Sequence, residues 1–421
     1  VACPGAWPAP GCPGRGLPPV RRLVVRRTKS GTLAAMYRIL TLNNISAQGL
    51  ARFPAGQYRV GTDVDQPDAV LVRSADMHAL AVPASVKAIG RAGAGTNNIP
   101  VPALSARGVP VFNAPGANAN AVKELVLAGM LMAVRNLPEA LVFLHEHRDS
   151  ADLATLIEKE KKRFVGAELA GRTLGVVGLG AIGVKVANAA RALGMRVLGL
   201  DPHMTVEGAW QLSAEVMKAG SLNELYAGSD FVSFHVPLVE ATRNLFNAGS
   251  LQHVRNGVVL INFARAGIVE AAAVREGLSD GRIGRYVTDF PAPELAGLAS
   301  VLALPHLGAS TREAEENSAA MVVDQLRDYL ENGNIANAVN FPSLRMAREG
   351  RARVCVANRN RPNMIGQLSH VLGEAGLNIA QMHNASRGDM AYTVIDVDAE
   401  VGESVVASIA AIDGILAVRV V

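Results

Sequence analysis

The sequence predicts an α/β protein with two units built on parallel sheets and a smaller module at the carboxyl end. From Met36 onward, short apolar runs alternate with polar segments, which is typical of parallel strands joined by helices. A glycine-rich turn, GLGAIG, lies between an apolar strand and an amphipathic helix. About 70 residues at the carboxyl end read strand, helix, strand, strand, helix, strand, which is the ferredoxin-like order.

The first unit extends to about residue 113 through the strand-like runs YRILTL, DAVLVRS, VKAIGRAG and VPVFNAP. Residues 118–144 then predict a long helix that Pro138 kinks or interrupts. A second unit begins at Arg172, and a helix over residues 311–332 is expected to return to the first. We therefore predict a discontinuous substrate-binding domain (36–135 and 305–345), a nucleotide-binding domain (136–304) and a C-terminal module (350–421).

Composition is that of a globular protein with a large core: 49% of the 421 residues are hydrophobic and 19% are charged. The net charge of +4 depends on six Lys and Arg residues within the first 30 positions, and the remainder carries −2. This balance argues against a nucleic-acid surface on the folded body. The apolar runs are of strand length, which argues against a membrane span.

Residues 1–35 are rich in Pro, Gly and Arg and have no lasting period. They fit either an arginine-rich targeting segment or a disordered or non-native extension before Met36. We favour the extension because a strand begins immediately after Met36. Cys3 and Cys12 lie in this stretch and Cys355 lies in an apolar run, so a disulfide framework is not indicated and a reducing, cytoplasmic setting is expected. No Cys or His spacing predicts a metal site.

The glycine-rich turn predicts a dinucleotide site. Gly178, Gly180 and Gly183 form GxGxxG, and Asp201 closes the next strand. The glycines allow backbone to approach a pyrophosphate at a helix N-terminus. A carboxylate at position 201 hydrogen-bonds ribose hydroxyls and repels a 2′-phosphate, which favours NAD over NADP.

Three later strands end in polar groups that suit oxidation of a 2-hydroxy acid. Arg265 follows INFA and could hold a carboxylate through its bidentate fork. His306, in LALPHLGAST, suits the base that takes the hydroxyl proton, since an imidazole ordinarily titrates near neutrality. Glu294 could raise the pKa of that histidine.

These stretches resemble the D-2-hydroxyacid dehydrogenases, with matches at GRAGAGTNNI, FNAPGANANAVKELVLAG, GLGAIG, HVPLVEATRNLF, INFARAGIV, TDFPAPE and PHLGAST. The resemblance implies a Rossmann NAD-binding domain inserted in a flavodoxin-like substrate domain, a homodimer or homotetramer, and Arg265, Glu294 and His306 as the catalytic set. It also implies contacts with NAD at Ala181, Ile182, Asp201, Ala264, Arg265, Asp289 and the turn His306–Ala309, which includes Gly308. For the substrate it implies Arg73, Ser74, Ala94 and Gly95. Lys123 is a weaker substrate candidate, since a surface lysine fits the position equally well.

The C-terminal module resembles an ACT domain, a regulatory unit that binds small ligands. By position, Asn358, Asn360 and Asn378 are the candidate effector contacts, and the resemblance suggests L-serine. Asn358 replaces a histidine found in some serine-inhibited relatives. A dimerisation module without a ligand remains the alternative.

The resemblance is closest to members that oxidise 3-phospho-D-glycerate to 3-phosphohydroxypyruvate in L-serine biosynthesis, which is the function we expect. The alternative is another D-2-hydroxy acid, such as 2-hydroxyglutarate, glycerate or lactate. A non-enzymatic, NAD-sensing scaffold is more distant, because the Arg–Glu–His set is intact.

Overall fold

The computed structural model describes residues 36–421 and, as backbone only, residues 22–24. We expected no ordered structure in the N-terminal extension. Residues 22–24 differ from this expectation, because they form a strand paired with the last strand of the chain. Cys3, Cys12 and the rest of the predicted extension lie outside the described residues.

Seventeen strands and twelve α-helices are described. The strands are β1 (Arg22–Val24), β2 (Tyr37–Leu42), β3 (Tyr58–Gly61), β4 (Ala69–Val72), β5 (Ala88–Arg91), β6 (Val111–Phe112), β7 (Thr173–Val177), β8 (Arg196–Leu200), β9 (Met217–Lys218), β10 (Phe231–Phe234), β11 (Val258–Asn262), β12 (Ile283–Thr288), β13 (Val301–Ala303), β14 (Ala352–Arg359), β15 (Ile379–Arg387), β16 (Met390–Val397) and β17 (Ile415–Val420). The helices are α1 (Ala47–Leu50), α2 (Val101–Ala106), α3 (Ala119–Arg135), α4 (Leu137–Glu146), α5 (Leu153–Glu160), α6 (Ala181–Ala192), α7 (Val206–Gln211), α8 (Leu222–Gly228), α9 (Ala271–Ser279), α10 (Arg312–Asn332), α11 (Met364–Glu374) and α12 (Glu403–Ala411).

Two parallel sheets form the body of the protein. The first has the order β3-β2-β4-β5-β6, which is that of flavodoxin-like sheets. The second has the order β13-β12-β11-β10-β7-β8-β9, which contains the six-strand Rossmann order and adds β13 at one edge. Strand order reverses beside β2 in one sheet and beside β7 in the other, and ligands bind at the carboxyl ends of strands at such points.

The helix predicted over residues 118–144 is two helices. Asn136 adopts a left-handed conformation with φ of 50°, and Pro138 occupies the first turn of α4. The two helices meet at 66°, and in the described part of the chain no single helix is long and apolar enough to cross a membrane, although this bent pair passes that test when taken together. The break confirms the interruption predicted at Pro138.

Helix α3 packs on the second sheet, not on the first. Its buried residues Val122, Val126 and Met130 belong to the same hydrophobic core as Leu174 and Ile261. Our predicted substrate domain included residues up to 135, so the structure moves this helix to the nucleotide-binding domain. The apolar face of α3 is the physical reason, because Val122, Val126 and Met130 are buried in the core of the second sheet.

The C-terminal module has the predicted β-α-β-β-α-β order of elements. Its strands pair in the order β17-β14-β16-β15, and β1 adds in parallel to the β17 edge. One face of this sheet covers the carboxyl end of α10. Cys355 and Tyr392 share a hydrophobic core with Tyr329 of that helix.

Three side chains of the module bind the last carbonyl groups of α10. Arg419 donates through Nη2 to the carbonyl oxygens of Tyr329 (2.9 Å) and Leu330 (3.2 Å). The Tyr392 hydroxyl donates to the Gly333 carbonyl at 2.7 Å, and Arg353 donates through Nη1 to the Asn332 carbonyl at 3.0 Å. The last carbonyls of a helix mostly lack partners within it, although that of Tyr329 also accepts from the Gly333 amide. These contacts fasten α10 to the module.

Arg353 also forms a buried ion pair with Asp396. The two side chains are fully buried and joined by two hydrogen bonds of 2.6 and 2.8 Å. Burial alone would raise the pKa of Asp396, but hydrogen bonds from Arg353, the Glu349 amide and Gln381 lower it to about 2. The carboxylate is therefore ionised over the physiological range.

We expect Asp396→Asn to destabilise the protein by about 3–5 kcal/mol at pH 7, because it leaves the guanidinium of Arg353 buried without its counter-charge. Urea unfolding measures this loss. Asp413→Asn is the control, since Asp413 pairs with Arg361 on the surface and such pairs contribute little.

The folded pKa of Asp396 lies below its unfolded value, so the stabilisation is complete above about pH 5 and is lost as the pH falls toward 2. Equal effects of the two substitutions would contradict the assignment.

Candidate active site

The glycine-rich turn has the geometry of a dinucleotide cradle. Gly178 has a φ of +92°, and a Cβ atom there would lie 3.0 Å from the His235 carbonyl oxygen. A Cβ atom on Gly183 would lie 1.9 Å from the carbonyl oxygen of Gly178, so α6 packs closely against the turn. In contrast, no atom of residues 36–421 lies within 4 Å of a Cβ on Gly180, which caps α6. This space before the N-terminus of a twelve-residue helix fits a pyrophosphate.

Asp201 lies directly after β8, at the predicted ribose end of this cradle. Its Oδ2 accepts a hydrogen bond from the Leu179 amide and its Oδ1 accepts one from the His203 amide, each at 2.8 Å. A carboxylate offers about four acceptor sites, so two bonds leave capacity for ribose hydroxyls. These residues fit NAD.

His235 lies beside the glycine turn. Its Nε2 is 2.9 Å from the hydroxyl oxygen of Ser233, and burial lowers its pKa to about 4. The imidazole is therefore neutral at pH 7. A neutral, hydrogen-bonded ring next to the turn suits the wall of a cofactor cleft and not a proton donor.

Asp289, at the end of β12, has an unsatisfied oxygen. Its Oδ2 accepts a hydrogen bond from the Gly308 amide at 2.8 Å, while its Oδ1 is buried and has no hydrogen-bond partner in the described part of the chain. Burial raises the pKa of Asp289, and the Gly308 hydrogen bond and the charges of His306 and Arg265 act in the opposite direction. A buried acceptor without a partner is costly, so this oxygen fits an amide donor from a bound nicotinamide ring.

His306 lies on a tight turn next to Asp289. Its backbone has a φ of +52°, and its amide donates to the carbonyl oxygen of Asp289 at 3.0 Å. A left-handed conformation is uncommon for a residue other than glycine and often marks a functional position. The imidazole is exposed and packs on Phe290 with ring centroids 4.8 Å apart.

Glu294 is not paired with His306 in this structure. Among the ion pairs within 4.0 Å in residues 36–421, none joins the Glu294 carboxylate to the His306 imidazole. Glu294 lies in the 3-10 turn Pro293–Leu295 and lines a surface groove with residues of α9, while Phe290 occupies one side of the His306 ring. The contact through which Glu294 was expected to act on His306 is therefore absent from this conformation.

Arg265 faces the substrate domain. The buried side chain of Asn262 holds its backbone by donating to the Arg265 carbonyl at 2.9 Å. The Arg265 guanidinium donates to the Ala264 carbonyl at 2.7 Å, and its Nη2 lies 3.6 Å from where a Cβ of Gly95 would be. Arg265 and the Ala94–Gly95 backbone thus meet across the cleft between the two domains.

Arg91 forms a cluster with Arg73 and Arg265, and it was not among the residues predicted from the sequence. Its Nε donates to the Arg73 carbonyl at 3.0 Å, and its guanidinium fills the space beside Gly93, where a Cβ would lie 1.8 Å from Nη1. Burial, and then the charges of Arg73 and Arg265, lower the pKa of Arg91. Three guanidinium groups that repel one another favour an anion between them.

The sequence places Arg91 at the end of a strand-like run, VKAIGR, but the position of its partner strand comes from the structure. Strands β4 and β5 are parallel neighbours, with Val72 opposite Arg91. Arg73 follows Val72 directly, so both arginines lie at the carboxyl ends of adjacent strands. Ser74 is exposed beside Arg73, while Ala94 is partly buried and its carbonyl accepts from the Asn113 side chain at 2.6 Å.

Lys123 has a carboxylate partner of its own. It lies in α3 and its Nζ is 3.3 Å from Oε1 of the neighbouring Glu124. The structure supplies no contact between Lys123 and the arginine cluster. This arrangement favours the surface-lysine interpretation.

The three candidate effector asparagines do not converge within one chain. Asn358 is buried, donates to the Arg359 carbonyl and has an unpartnered Oδ1. Asn360 contacts the β15–β16 turn by donating to the Gly388 carbonyl at 3.1 Å. Asn378 lies at the other end of the sheet, where its backbone N–H donates to the Asp398 carboxylate at 3.1 Å.

Comparison with known proteins gives a family match over the region that contains the glycine-rich turn. The sequence model of the "D-isomer specific 2-hydroxyacid dehydrogenase, NAD binding domain" matches residues 127–308. A D-3-phosphoglycerate dehydrogenase of Haemophilus influenzae is 33% identical over 77% of this chain and 79% of its own length. The chain belongs to the D-isomer specific 2-hydroxyacid dehydrogenase family. It is an NAD-dependent oxidoreductase, and the predicted cofactor is confirmed.

Other members of the family extend the comparison. The Escherichia coli D-3-phosphoglycerate dehydrogenase is 32% identical over 79% of this chain and 80% of its own length. The Methanocaldococcus jannaschii D-3-phosphoglycerate dehydrogenase is 35% identical over 64% of this chain, but the chain spans only half of its length. The NAD⁺-bound 3-phosphoglycerate dehydrogenase of Entamoeba histolytica has a TM-score of 0.56 and 23% identity over 74% of this chain and all of its own, which shows a shared fold.

We predict that alanine substitutions at Gly180 and Gly183 have different effects: one lowers the affinity for NADH, and the other lowers the stability of the fold. Gly183→Ala places a methyl group against the Gly178 carbonyl, so the melting temperature of the cofactor-free protein should fall by several degrees. Gly180→Ala meets no protein atom, so that melting temperature should stay within about 1 °C while NADH affinity falls at least about tenfold. Thermal unfolding and NADH fluorescence titration measure both. Unchanged NADH affinity in Gly180→Ala would contradict the cradle.

Proposed function

We propose that this enzyme oxidises 3-phospho-D-glycerate to 3-phosphohydroxypyruvate with NAD, the first step of L-serine biosynthesis. The observation that carries the proposal is the cluster of Arg73, Arg91 and Arg265 at the domain cleft. A substrate with a carboxylate at one end and a phosphate at the other supplies anions for such a cluster. The names of the Haemophilus influenzae and Escherichia coli relatives support this choice.

In this proposal Arg265 holds the substrate carboxylate, and Arg73 and Arg91 hold the phosphate. Ser74 borders the phosphate end, and the Ala94–Gly95 backbone borders the carboxylate end next to Arg265. NAD, held by the glycine-rich turn, Asp201 and Asp289, would supply the hydride acceptor for C2 of the substrate. His306 removes the hydroxyl proton as a general base and returns it in the reverse reaction.

We infer that Glu294 supports His306 only in the closed complex. Catalytic hydrogen bonds are often long or misaligned before the substrate binds, and the His306 ring now rests on Phe290. Rotation of the exposed imidazole away from Phe290 would free it to meet the carboxylate. The carboxylate would then stabilise the imidazolium form and hold the base nitrogen toward the substrate.

NADH oxidation with 3-phosphohydroxypyruvate, compared with pyruvate and 2-oxoglutarate, tests the proposal. We expect kcat/KM for the phosphorylated substrate to be at least about a hundredfold higher, because two charge-assisted contacts are lost without the phosphate. NADH should be preferred to NADPH because Asp201 repels a 2′-phosphate. A preference for pyruvate or 2-oxoglutarate would instead identify a dehydrogenase of another 2-hydroxy acid.

His306→Gln is the control that locates the reaction at this site. The glutamine side chain cannot act as the base, so kcat should fall by about 10²–10⁴-fold, while NADH titration should show retained cofactor binding. Wild-type turnover in this variant would remove His306 from the mechanism. Absence of turnover with every 2-oxo acid in the wild-type protein would favour a non-catalytic scaffold.

We propose that the C-terminal module is an ACT domain with an amino-acid effector. Its element order and its firm attachment to α10 support a regulatory role. Since Asn360 and Asn378 lie at opposite ends of one sheet, we infer that they would share an effector only across two chains.

Exposed apolar residues of α4, Leu141 and Val142 among them, support a homo-oligomer, which light scattering would test. A cytoplasmic location is also proposed.

L-Serine titration tests the effector. We expect binding in calorimetry and partial inhibition of NADH oxidation, with both lost in Asn360→Ala, because that substitution removes a carboxamide able to bind the α-groups of serine. L-Alanine serves as the ligand control. Absence of serine binding together with unchanged activity would leave a dimerisation module as the explanation of the C-terminal sheet.

A further inference from the structure

Arg73 is the one arginine of the cluster that has a carboxylate partner. Its Nη2 lies 2.6 Å from Oε1 of Glu315, and the two side chains are 35% and 40% exposed. Among residues 36–421, neither Arg91 nor Arg265 has a carboxylate within 4.0 Å. Glu315 therefore neutralises the arginine that we assign to the phosphate end of the substrate.

The position of Glu315 is set by α10. Thr311 caps this helix by accepting a hydrogen bond from the Ala314 amide at 3.1 Å, and Glu315 lies in the first turn, where the helix dipole favours a carboxylate. The other end of α10 is held by Arg419 and Arg353. The backbone of Glu315 is thus fixed, and only its side chain is free to swing away from Arg73.

The contact itself is suited to exchange. It uses one nitrogen of the guanidinium and one oxygen of the carboxylate, and it is partly open to water. Ion pairs of this kind are weak. A phosphate carries up to two charges and several acceptor oxygens, so it competes for Arg73 with advantage over a single carboxylate.

We propose that Glu315 is a displaceable counter-anion that determines substrate specificity. Its carboxylate occupies Arg73 until the phosphate end of the substrate replaces it. This inference rests on the proposed function, because it assigns Arg73 to the phosphate. Glu315 then lowers the affinity for phosphorylated ligands without affecting substrates that lack a distal anion, and it moderates the preference of the enzyme for phosphorylated acids.

Inorganic phosphate is the direct probe, and calorimetry of the full-length protein measures its binding. Glu315→Gln should lower the Kd for phosphate about three- to tenfold. The substitution removes a carboxylate that competes for Arg73 in a half-exposed ion pair and that also repels the phosphate. The KM for 3-phosphohydroxypyruvate should fall by a similar factor, while the KM for pyruvate changes less than about twofold.

Glu313→Gln is the matched control, because Glu313 lies in the same turn of α10 and has no ion pair to Arg73 among residues 36–421. It should leave both constants unchanged. Glu315→Gln in an Arg73→Gln background should have no effect on phosphate binding, since the shared partner is then missing.

Unchanged or weaker phosphate binding in Glu315→Gln would overturn the inference and leave Glu315 as a residue that only positions Arg73. Failure of the proposed function gives a different result. If the wild-type protein does not reduce 3-phosphohydroxypyruvate but phosphate binding tightens in Glu315→Gln, the reaction assignment fails while the counter-anion role is supported.

Discussion

The buried carboxyl end of α10 is the constraint on which the other parts of the structure depend. Carbonyl groups at a helix end need donors, and burial removes water as a source of them. Arg419, Tyr392 and Arg353 supply those donors from the C-terminal sheet. The module is therefore bound to the helix by polar contacts that a shift of either element would break.

The same helix begins beside the candidate active site. Its N-cap, Thr311, follows the turn that holds His306, and Glu315 in its first turn reaches Arg73. One rigid element thus links the C-terminal sheet, the substrate domain and the edge of the cofactor cleft. A displacement at its far end would shift Glu315, so α10 offers a physical route from the C-terminal sheet to Arg73.

Much of the fold was predictable because it depends on local patterns. Apolar runs located most of the parallel strands, and GxGxxG before an amphipathic helix located the cofactor turn with Gly178, Gly180 and Gly183. Strand-end reasoning also located Arg265 and His306. Each of these features is recorded within a short stretch of sequence.

Long-range contacts were not predictable in the same way. Arg91 was missed because its role depends on the neighbouring strand that carries Arg73, and the short strand β3 was missed because its four residues have little period. Nothing near Glu294 in the sequence indicates that Phe290 takes the place beside His306. The burial of Asn358 likewise depends on the sheet around it.

Cys355 gives the attachment of the C-terminal sheet a measurable time scale. Its thiol is buried against Gly333 at the end of α10, and burial raises its pKa. Alkylation requires an exposed thiolate, so reagents reach this sulfur only when the sheet separates from the helix. The alkylation rate of Cys355 therefore reports how often the module opens, and a ligand that slows the reaction is one that holds the two elements together.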